Sequence, residues 1–467
     1  MNYHIQFPPS SDKVATTIIG TGGFGRSYLA QCRKVPLLEA RVAVDVTAEQ
    51  AARTMIEVGY PEARIRKCNT AEEAAAAWAA GDFIAAGDFA HVAALPVHVV
   101  IEATGHPEAG ARHCRLAVEA GHHVALVSKE VDSVVGPGLA ALAREKGCVV
   151  SPVDGDQPSL LIELITWAEL LGFEIIAAGK SSEYDFIFDA AAGTLTSDGR
   201  MVSAPDFAQW ADLDDRPAAE VVAGRANAAS ALPQRAVPDL CELTVVANAT
   251  GFAPDAAALH APIARITEVP TLFSTRDEGG ILDGRRVLDV FHCLREPGEV
   301  SFAGGVFVVI RCDDAETWKM LEGKGHVVAR DRNTAMIYNP RHLLGLEAAT
   351  TILSLGLLAR GTGGHAPAHH IDLVAFADRD LAAGEALVMG GHHHSIPGVS
   401  ARMVAAGPLS DESPAPFYLA SNQTIRRPVA AGSYIRMGDL EHRSNTELLT
   451  LRRRQDAIFA RAKGMQG

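Results

Sequence analysis

The stretch Thr16-Thr17-Ile18-Ile19-Gly20-Thr21-Gly22-Gly23-Phe24-Gly25-Arg26 joins an apolar, β-branched run to the pattern G-x-G-x-x-G. The run predicts a strand, and the residues from Phe24 to Val35 predict a helix, so the glycines lie at the turn between them. We expect Gly20 to turn tightly, Gly22 to let the backbone approach a pyrophosphate, and Gly25 to bring helix and strand together. The stretch predicts a nicotinamide dinucleotide site that includes Gly20, Gly22, Gly23, Phe24 and Gly25.

An acidic residue follows at the end of the next apolar run, Arg41 to Val46. At that position the carboxylate of Asp45 can accept hydrogen bonds from the ribose hydroxyls and would repel a 2′-phosphate. No arginine follows directly, although Arg53 lies about two turns into the next predicted helix. NAD is therefore favoured as the cofactor, with NADP possible.

The composition restricts the class of protein. The chain has 467 residues, 48% of them hydrophobic, and its 42 Lys and Arg against 56 Asp and Glu give a net charge of -14. This balance argues against nucleic acid or an anionic membrane surface as a partner. The start of the chain lacks the features of a signal peptide, and no apolar run reaches membrane length, so we expect a cytoplasmic protein.

The cysteines and histidines indicate no metal site. The seven cysteines are scattered and never spaced as C-x-x-C, which predicts reduced thiols, and Cys241 is interpreted as a small buried hydrophobe. The run His392-His393-His394, near His365, His369 and His370, lacks suitably spaced partners. A solvated loop is the expected structure there, and a bound divalent metal stays uncertain.

Alternating apolar runs and amphipathic segments predict stacked βαβ units up to about residue 153. The predicted strands are 14–19, 41–46, 97–103, 123–128 and 148–153. The stretch 48–96 is expected to carry an extra helical element.

A second α/β region follows, with a helix over 159–171, strands over 173–180, 243–248 and 305–310, and an irregular lid or dimer arm over 185–235. An apolar helix over 342–358 is expected to pack back on the first domain. The fold class is thus α/β: a Rossmann dinucleotide-binding domain (1–154), an α+β substrate and oligomerisation domain (155–364), a small β-rich module (365–445) and a C-terminal helix (446–467).

Polar residues follow several predicted strands, where an open α/β sheet exposes its ligand crevice. Thr104 and Gly105 are predicted to contact the cofactor, together with Ser128. Lys129 could bind an anionic substrate or polarise a carbonyl, although a surface lysine would look the same. Glu130 could bind substrate hydroxyls or a cation.

The segment Asp154-Gly155-Asp156-Gln157-Pro158-Ser159 combines carboxylates with the start of a helix. Part of it can be simple capping. Asp156 could also transfer protons, bind hydroxyls or hold a divalent ion, with Asp154 and Gln157 as substrate ligands.

The strand over 173–180 ends in a lysine that would face the nicotinamide across an interdomain cleft. A desolvated Lys180 could serve as the acid or base of a hydride transfer, whereas an exposed salt bridge is the plainer interpretation. Further candidate substrate ligands are Ser181, Tyr184, Asn248 and Glu278, of which the last two equally suit turns.

Together these segments resemble the homoserine-dehydrogenase-like oxidoreductases with a C-terminal SAF domain, a group that includes a 1-deoxy-D-xylulose 5-phosphate reductoisomerase-like enzyme. The resemblance covers nearly the whole chain. It includes Glu102-Ala103-Thr104-Gly105, Glu130-Val131-Asp132, Gly155-Asp156-Gln157-Pro158, Ala178-Gly179-Lys180, Ala247 to Gly251, Glu278 to Leu282 and Arg341-His342-Leu343. Asp380-Leu381 with Gly384-Glu385 makes the module from Ile371 to Asp439 similar to an SAF domain.

Some segments depart from that family. The reductoisomerase-like members have Asn-Val-Glu-Ala-Asp in place of Ser128 to Asp132, have Gly-Asp-Glu-Pro in place of Gly155 to Pro158, and lack the acid of Asp45. Homoserine dehydrogenases share the lysine at Lys129, but their catalytic Asp and Lys helix has no clear match. Neither activity is transferred on this basis.

The sequence therefore predicts an NAD-dependent oxidoreductase of a small polar hydroxy or oxo compound, such as a sugar acid or an amino-acid-like alcohol. Lys180, Lys129, Asp156 and Glu130 are the candidate catalytic residues. A metal-dependent, NADPH-dependent reductoisomerase and a non-catalytic ligand sensor are the alternatives. The expected partners are a small-molecule substrate and further copies of the chain, as a homodimer or homotetramer.

Overall fold

A computed structural model describes residues 2–391, 393–441 and 446–464, with side chains as far as residue 461. Its helices are α1 (Tyr3–Gln6), α2 (Gly23–Cys32), α3 (Ala48–Glu57), α4 (Ala71–Ala79), α5 (Pro107–Glu119), α6 (Lys129–Glu145), α7 (Gln157–Leu170), α8 (Ala218–Ala228), α9 (Val237–Thr250), α10 (Val269–Leu272), α11 (Ala315–Glu322), α12 (Ala349–Leu358), α13 (Phe417–Ala420) and α14 (Glu447–Gly464).

The strands are β1 (Val14–Ile19), β2 (Leu38–Val44), β3 (Ile65–Cys68), β4 (Phe83–Ala86), β5 (Val99–Glu102), β6 (His123–Leu126), β7 (Val150–Pro152), β8 (Ile175–Ser181), β9 (Phe186–Asp189), β10 (Thr194–Ser197), β11 (Arg200–Ser203), β12 (Ile263–Ala264), β13 (Val287–Arg295), β14 (Val306–Arg311), β15 (Val327–Val328), β16 (Thr334–Asn339), β17 (Ile371–Ala377), β18 (Val399–Ala405), β19 (Thr424–Ile425), β20 (Ser433–Tyr434) and β21 (Leu440–Glu441).

The chain divides into two compact units. The first contains residues 1–159, 343–388 and 405–467, and the second contains residues 160–342 and 389–404. The segment after residue 365 therefore contributes to both units. The four-domain division stays a prediction.

The first unit is built on a parallel seven-stranded sheet in the order β3-β4-β2-β1-β5-β6-β7. Parallel strands joined by helices form a Rossmann sheet, so the predicted α/β class is confirmed. β1 and β5 lie side by side at its centre, and their carboxyl ends therefore meet at one edge. Helix α12 covers this sheet, with Ile352 and Leu355 in the same buried cluster as Ile18 and Val99.

The stretch 48–96 is richer than predicted. It contains two strands, β3 and β4, as well as α3 and α4, and both strands extend the parallel sheet beyond β2. Each of these strands is only four residues long. The sequence therefore contains no extended apolar run by which they could have been predicted.

The second unit contains a mixed sheet in the order β11-β10-β9-β13-β8-β14-β16-β15. The predicted irregular arm over 185–235 was wrong, because β9, β10, β11 and α8 lie there and Phe186, Phe188 and Phe207 form a buried cluster. The predicted strand over 243–248 was also wrong. It is part of helix α9, which is buried from Pro238 to Asn248.

The predicted helix over 342–358 begins later, at Ala349, after a short 3-10 turn at Leu344–Leu346. Leu344 has φ +53°, which ends any helix at that residue. A Cβ on Gly345 would lie 2.5 Å from the carbonyl oxygen of Phe24, so this turn packs tightly on the start of α2.

Candidate active site

The glycine-rich loop has the backbone geometry that a bound pyrophosphate needs. Gly20 has φ +89°, and a Cβ on it would lie 2.6 Å from the carbonyl oxygen of Ala103. A Cβ on Gly25 would lie 2.0 Å from the carbonyl oxygen of Gly20, so only glycine lets α2 approach β1 this closely. Gly22 and Gly23 open onto empty space, with Gly22 as the N-cap of α2. The loop therefore fits a phosphate group at a helix N-terminus.

Asp45 is held in place beside this loop. Its Oδ2 accepts hydrogen bonds from the backbone N–H of Thr21 at 2.9 Å and from the Thr21 hydroxyl, and its Oδ1 accepts one from the Val46 N–H at 2.7 Å. A cleft of about 780 Å³ is lined by Gly20, Asp45, Thr104 and Arg112, among others. Of the predicted dinucleotide residues, Gly20, Gly22 and Asp45 thus border one cavity, and roles for Gly23, Phe24 and Gly25 stay predictions.

The cleft is also lined by residues that follow β5, among them Thr104. The buried Glu102 accepts hydrogen bonds on Oε1 from the Thr104 hydroxyl at 2.6 Å and from its N–H at 3.3 Å. Ser128 accepts a hydrogen bond from the Gly105 N–H at 2.8 Å. These contacts fix the loop Thr104–Gly105. Ser128 is buried, and its contact with a cofactor stays a prediction.

Glu130 lies in the first turn of α6, and its side chain is buried. Its pKa is raised to about 7: burial raises it most, the Lys129 ammonium opposes the rise, and the carboxylates of Asp156 and Glu102 add to it. The structure thus brings Glu130, Lys129 and Asp156 into one electrostatic group at the carboxyl edge of the Rossmann sheet. Glu130 is suited to exchange a proton near neutral pH.

Asp154 has a structural role in the first unit. Its carboxylate accepts hydrogen bonds from the hydroxyls of Ser159 and Thr350, each at 2.6 Å, and its N–H donates to Thr351 Oγ1 at 2.8 Å. These bonds join the start of α7 to α12. Gln157 is buried at the first position of α7. Roles for these two residues in substrate binding stay predictions.

In the second unit, Lys180 forms the centre of a buried ionic cluster. Its ammonium lies 2.8 Å from Asp239 Oδ1 and also pairs with Glu242, and all three side chains are about 1% exposed. The Ser182 hydroxyl donates to Asp239 Oδ2 at 2.6 Å. An exposed salt bridge is therefore the wrong interpretation of Lys180. The cluster can hold and exchange protons between an ammonium and two carboxylates.

Asp239 and Glu242 were missed from the sequence. They lie three residues apart on α9, a spacing that places both on one helix face. Two signals were available: Pro238 near the first helical position and Gly251, in the left-handed conformation, just after the last. The residues of the run Leu243-Thr244-Val245-Val246 favour a strand, so the helix that carries Asp239 and Glu242 was not recognised.

The remaining candidates from the second unit have different surroundings. Ser181 and Asn248 are buried, on β8 and α9, and Tyr184 is 5% exposed with its ring 5.0 Å from that of His393. Burial raises the pKa of the Tyr184 hydroxyl, so the phenol stays protonated. Each stays a predicted substrate ligand.

Glu278 lies away from Lys180. It pairs with Arg311 and accepts a hydrogen bond from the Thr275 hydroxyl at 2.9 Å, and the Arg311 hydrogen bond lowers its pKa. Arg311 ends β14, which runs antiparallel to β8, and its N–H binds the carbonyl of Glu174 just before β8 begins. Glu278 therefore belongs to the opposite end of β8 from Lys180.

The histidines of the C-terminal region are less exposed than predicted. The side chain of His369 is 5% exposed, and its Nε2–H donates a hydrogen bond to Asp372 Oδ1 at 2.8 Å. His393 lies 3.5 Å from Glu183 within the second unit. A fully solvated loop was therefore wrong for these two residues, and His392 lies outside the described residues. The cysteines carry free thiols, and Cys241 is buried as expected.

Comparison with protein families matches residues 237–348 to the model described as "Oxidoreductase DRL, catalytic domain". The match covers about a quarter of the chain and contains Asp239 and Glu242. It supports an oxidoreductase. No curated protein matches the chain.

Among solved structures, the chain is similar to a DOX-P reductoisomerase with magnesium: 18% identity over 37% of this chain and 46% of that one, TM-score 0.27. It is similar to levoglucosan dehydrogenase with NADH and L-sorbose: 17% identity, 39% and 45% coverage, TM-score 0.27. It is also similar to GenD2 from gentamicin A biosynthesis with NAD: 14% identity, 75% and 88% coverage, TM-score 0.32. The chain thus spans less than half of the length of the first two proteins.

Within the described part of the chain, no helix is long and apolar enough to cross a membrane.

Proposed function

We propose that this protein is an NAD-dependent oxidoreductase that moves hydride to or from a small polar hydroxy or oxo compound. The observation that carries the proposal is the dinucleotide cleft: the loop Gly20–Gly25 at the N-terminus of α2, faced by the fixed carboxylate of Asp45. A bound nicotinamide would supply the hydride acceptor or donor. The match to an oxidoreductase catalytic domain supports the same class.

NAD is the cofactor that the charge of the cleft favours. Asp45 is anchored by two donors from Thr21 and one from Val46, so its carboxylate cannot easily turn away. A 2′-phosphate beside this carboxylate would meet like charge, whereas ribose hydroxyls can donate to it. Arg112 also lines the cleft, but its guanidinium is paired with Asp88.

We assign acid and base catalysis to Lys180, with Asp239 and Glu242 holding its ammonium. Oxidation of an alcohol requires that its hydroxyl proton leave as the hydride leaves carbon, and reduction requires the reverse. A buried lysine paired with two carboxylates can take up or release that proton through the cluster. Lys129, Asp156 and Glu130 are proposed to orient the substrate, and Ser181, Tyr184 and Asn248 to contact it.

The test begins with fluorescence titration of the protein with NADH and NADPH, followed by a screen of hydroxy acids with NAD. We expect NADH-selective binding and turnover of at least one hydroxy acid. Glu242→Gln should then lower turnover at least tenfold while leaving NADH affinity unchanged, and Glu322→Gln, on exposed α11, should change neither. Absence of binding for both nucleotides would contradict the proposal and favour a ligand sensor.

A reductoisomerase is distinguished by its need for a divalent ion and NADPH.

We further propose a homo-oligomer, a four-part domain division and a cytoplasmic location. Light scattering at several concentrations tests the first of these.

A further inference from the structure

A second ionic group in the second unit contains one histidine and two aspartates. His260 Nδ1 lies 2.7 Å from Asp289 Oδ2 and 3.3 Å from Asp255 Oδ1. One atom from each side chain lies within 4.8 Å of the others. The 2.7 Å contact is a hydrogen bond between the imidazole and the carboxylate. Bonds of about 2.0–2.1 Å in a tetrahedron separate ligands by about 3.3 Å, so a small dication would replace the Nδ1 proton and move these two atoms about 0.6 Å apart.

Both carboxylates are held by backbone N–H groups, and Asp289 Oδ2 accepts one of them, from His260, at 3.0 Å. Asp289 Oδ1 accepts hydrogen bonds from the N–H groups of Ala261 at 3.0 Å and Val290 at 2.8 Å. Asp255 Oδ2 accepts one from the Asp283 N–H at 2.8 Å. Asp255 Oδ1 and Asp289 Oδ2 both lie within 3.3 Å of His260 Nδ1, so the three side chains converge on one point.

One atom of the group is left without a hydrogen bond. Asp255 Oδ1 is buried from solvent and has no hydrogen-bond partner, although it belongs to a charged carboxylate. Burying a carboxylate oxygen without a donor is costly, and native structures compensate such groups with a donor or a cation. A dication between Asp255 Oδ1, His260 Nδ1 and Asp289 Oδ2 would satisfy this atom.

The group lies apart from the Lys180 cluster. Asp289 is the register partner of Gly179 on β8, and Val290 is the partner of Lys180. Because side chains alternate along a strand, Asp289 and Lys180 point to opposite faces of the sheet. The two ionic groups are therefore separate sites of the same unit.

We propose that Asp255, His260 and Asp289 form a site for a divalent transition metal of the zinc or manganese type. Imidazole and carboxylate ligands suit these ions. Three protein ligands leave a coordination position for water or a ligand oxygen, so the ion could act as a Lewis acid as well as a structural link between β13 and the loop 255–261. The proposal goes beyond the oxidoreductase function and does not depend on it.

The experiment uses the full-length protein, stripped with chelator, and the metal alone as the probe. We expect isothermal titration with Zn²⁺ and Mn²⁺ to detect one saturable site and the thermal midpoint to rise on addition of metal. Asp255→Asn and His260→Gln should each weaken binding at least tenfold. His326→Gln, an exposed histidine of the same unit, is the matched control and should bind as the unaltered protein does.

Asp289 is not substituted in the primary test, because its hydrogen bonds to Ala261 and Val290 support the local fold. Circular dichroism establishes that Asp255→Asn and His260→Gln are folded before titration. No saturable site in the unaltered protein, or equal affinity in the two variants and the control, would overturn the proposal and leave a histidine–aspartate ion pair alone.

Discussion

At the scale of single residues, the cofactor preference depends on one carboxylate. Asp45→Asn keeps the shape of the side chain but removes the charge that repels a 2′-phosphate. We expect the ratio of NADPH to NADH affinity to rise at least tenfold, about 1.4 kcal/mol, as measured by fluorescence titration.

Glu49→Gln is the control for this change, because Glu49 is exposed nearby and pairs with Lys67 at 3.3 Å. Removing its charge should leave the ratio unaltered. If Asp45→Asn and the unaltered protein had equal ratios of NADPH to NADH affinity, the Asp45 carboxylate would not determine the cofactor preference.

Glu130 predicts a pH dependence of stability. Burial raises its pKa in the folded protein to about 7, so from about pH 4 upward the folded state keeps a proton that the unfolded chain releases. This contribution is present below pH 4 and is lost as the pH rises to about 7, by about 1.4 kcal/mol per pH unit. Burial raises the pKa of Asp132 in the same direction, to about 7.

We therefore expect the thermal midpoint of Glu130→Gln to fall less between pH 5 and pH 8 than that of the unaltered protein. Glu145→Gln, at the exposed end of the same helix, should follow the unaltered protein. Scanning calorimetry at the two pH values makes the comparison. If the thermal midpoints of all three proteins changed equally between the two pH values, the raised pKa of Glu130 would be contradicted.

The sequence predicted Lys180 as a candidate catalytic residue but did not reveal its partners. A lysine at the end of an apolar strand is visible in the sequence, whereas its pairing with Asp239 and Glu242 depends on how α9 packs against β8. The same limit applies to the group at His260, because Asp255 and Asp289 are 34 residues apart in the sequence.

At the scale of elements, the contact between α2 and β1 governs cofactor binding. Gly25→Ala would place a methyl group 2.0 Å from the carbonyl oxygen of Gly20, so the helix must move away from the strand. We expect NADH binding to be lost and the thermal midpoint to fall by several degrees. Gly23→Ala is the control for folding, because a Cβ there meets nothing within 4 Å.

Titration and thermal unfolding of both variants make this comparison. If Gly25→Ala bound NADH as tightly as the unaltered protein, the proposed role of the close helix–strand approach would be wrong.

The central Rossmann strands were predictable because β1, β2, β5 and β6 are largely buried and each contains Val or Ile in an apolar run. Helix α9 was not, because it is buried on every side and so lacks the polar face that reveals a helix. A continuous apolar run can be either a helix or a strand, and only its flanking Pro238 and Gly251 favour the helix.

At the scale of the whole molecule, the C-terminal region is part of both units. Residues 389–404 belong to the second unit, and α14 packs on α5 and α6 of the first. In α14, Arg452 is fully buried and binds Asp372 through two hydrogen bonds of 2.7 and 2.9 Å. Segments of the C-terminal region are thus packed within both units, and whether the region folds independently can be tested by truncation.

We expect the truncated chain 1–364 to unfold at a midpoint well below that of the full chain or to be insoluble, because both units lose packed segments. Differential scanning fluorimetry of the two proteins measures this. An unchanged midpoint would favour a C-terminal module that folds independently.

The position of α12 in the chain also has a consequence for synthesis. The strands of the Rossmann sheet are complete at Pro152, but the apolar side that α12 covers stays uncovered until about 200 further residues have been made. At 5–20 residues per second this takes about 10–40 s. During that interval the nascent chain presents Ile18, Val99 and their neighbours to water, so its yield in a cell depends on chaperones that shield this surface on the ribosome.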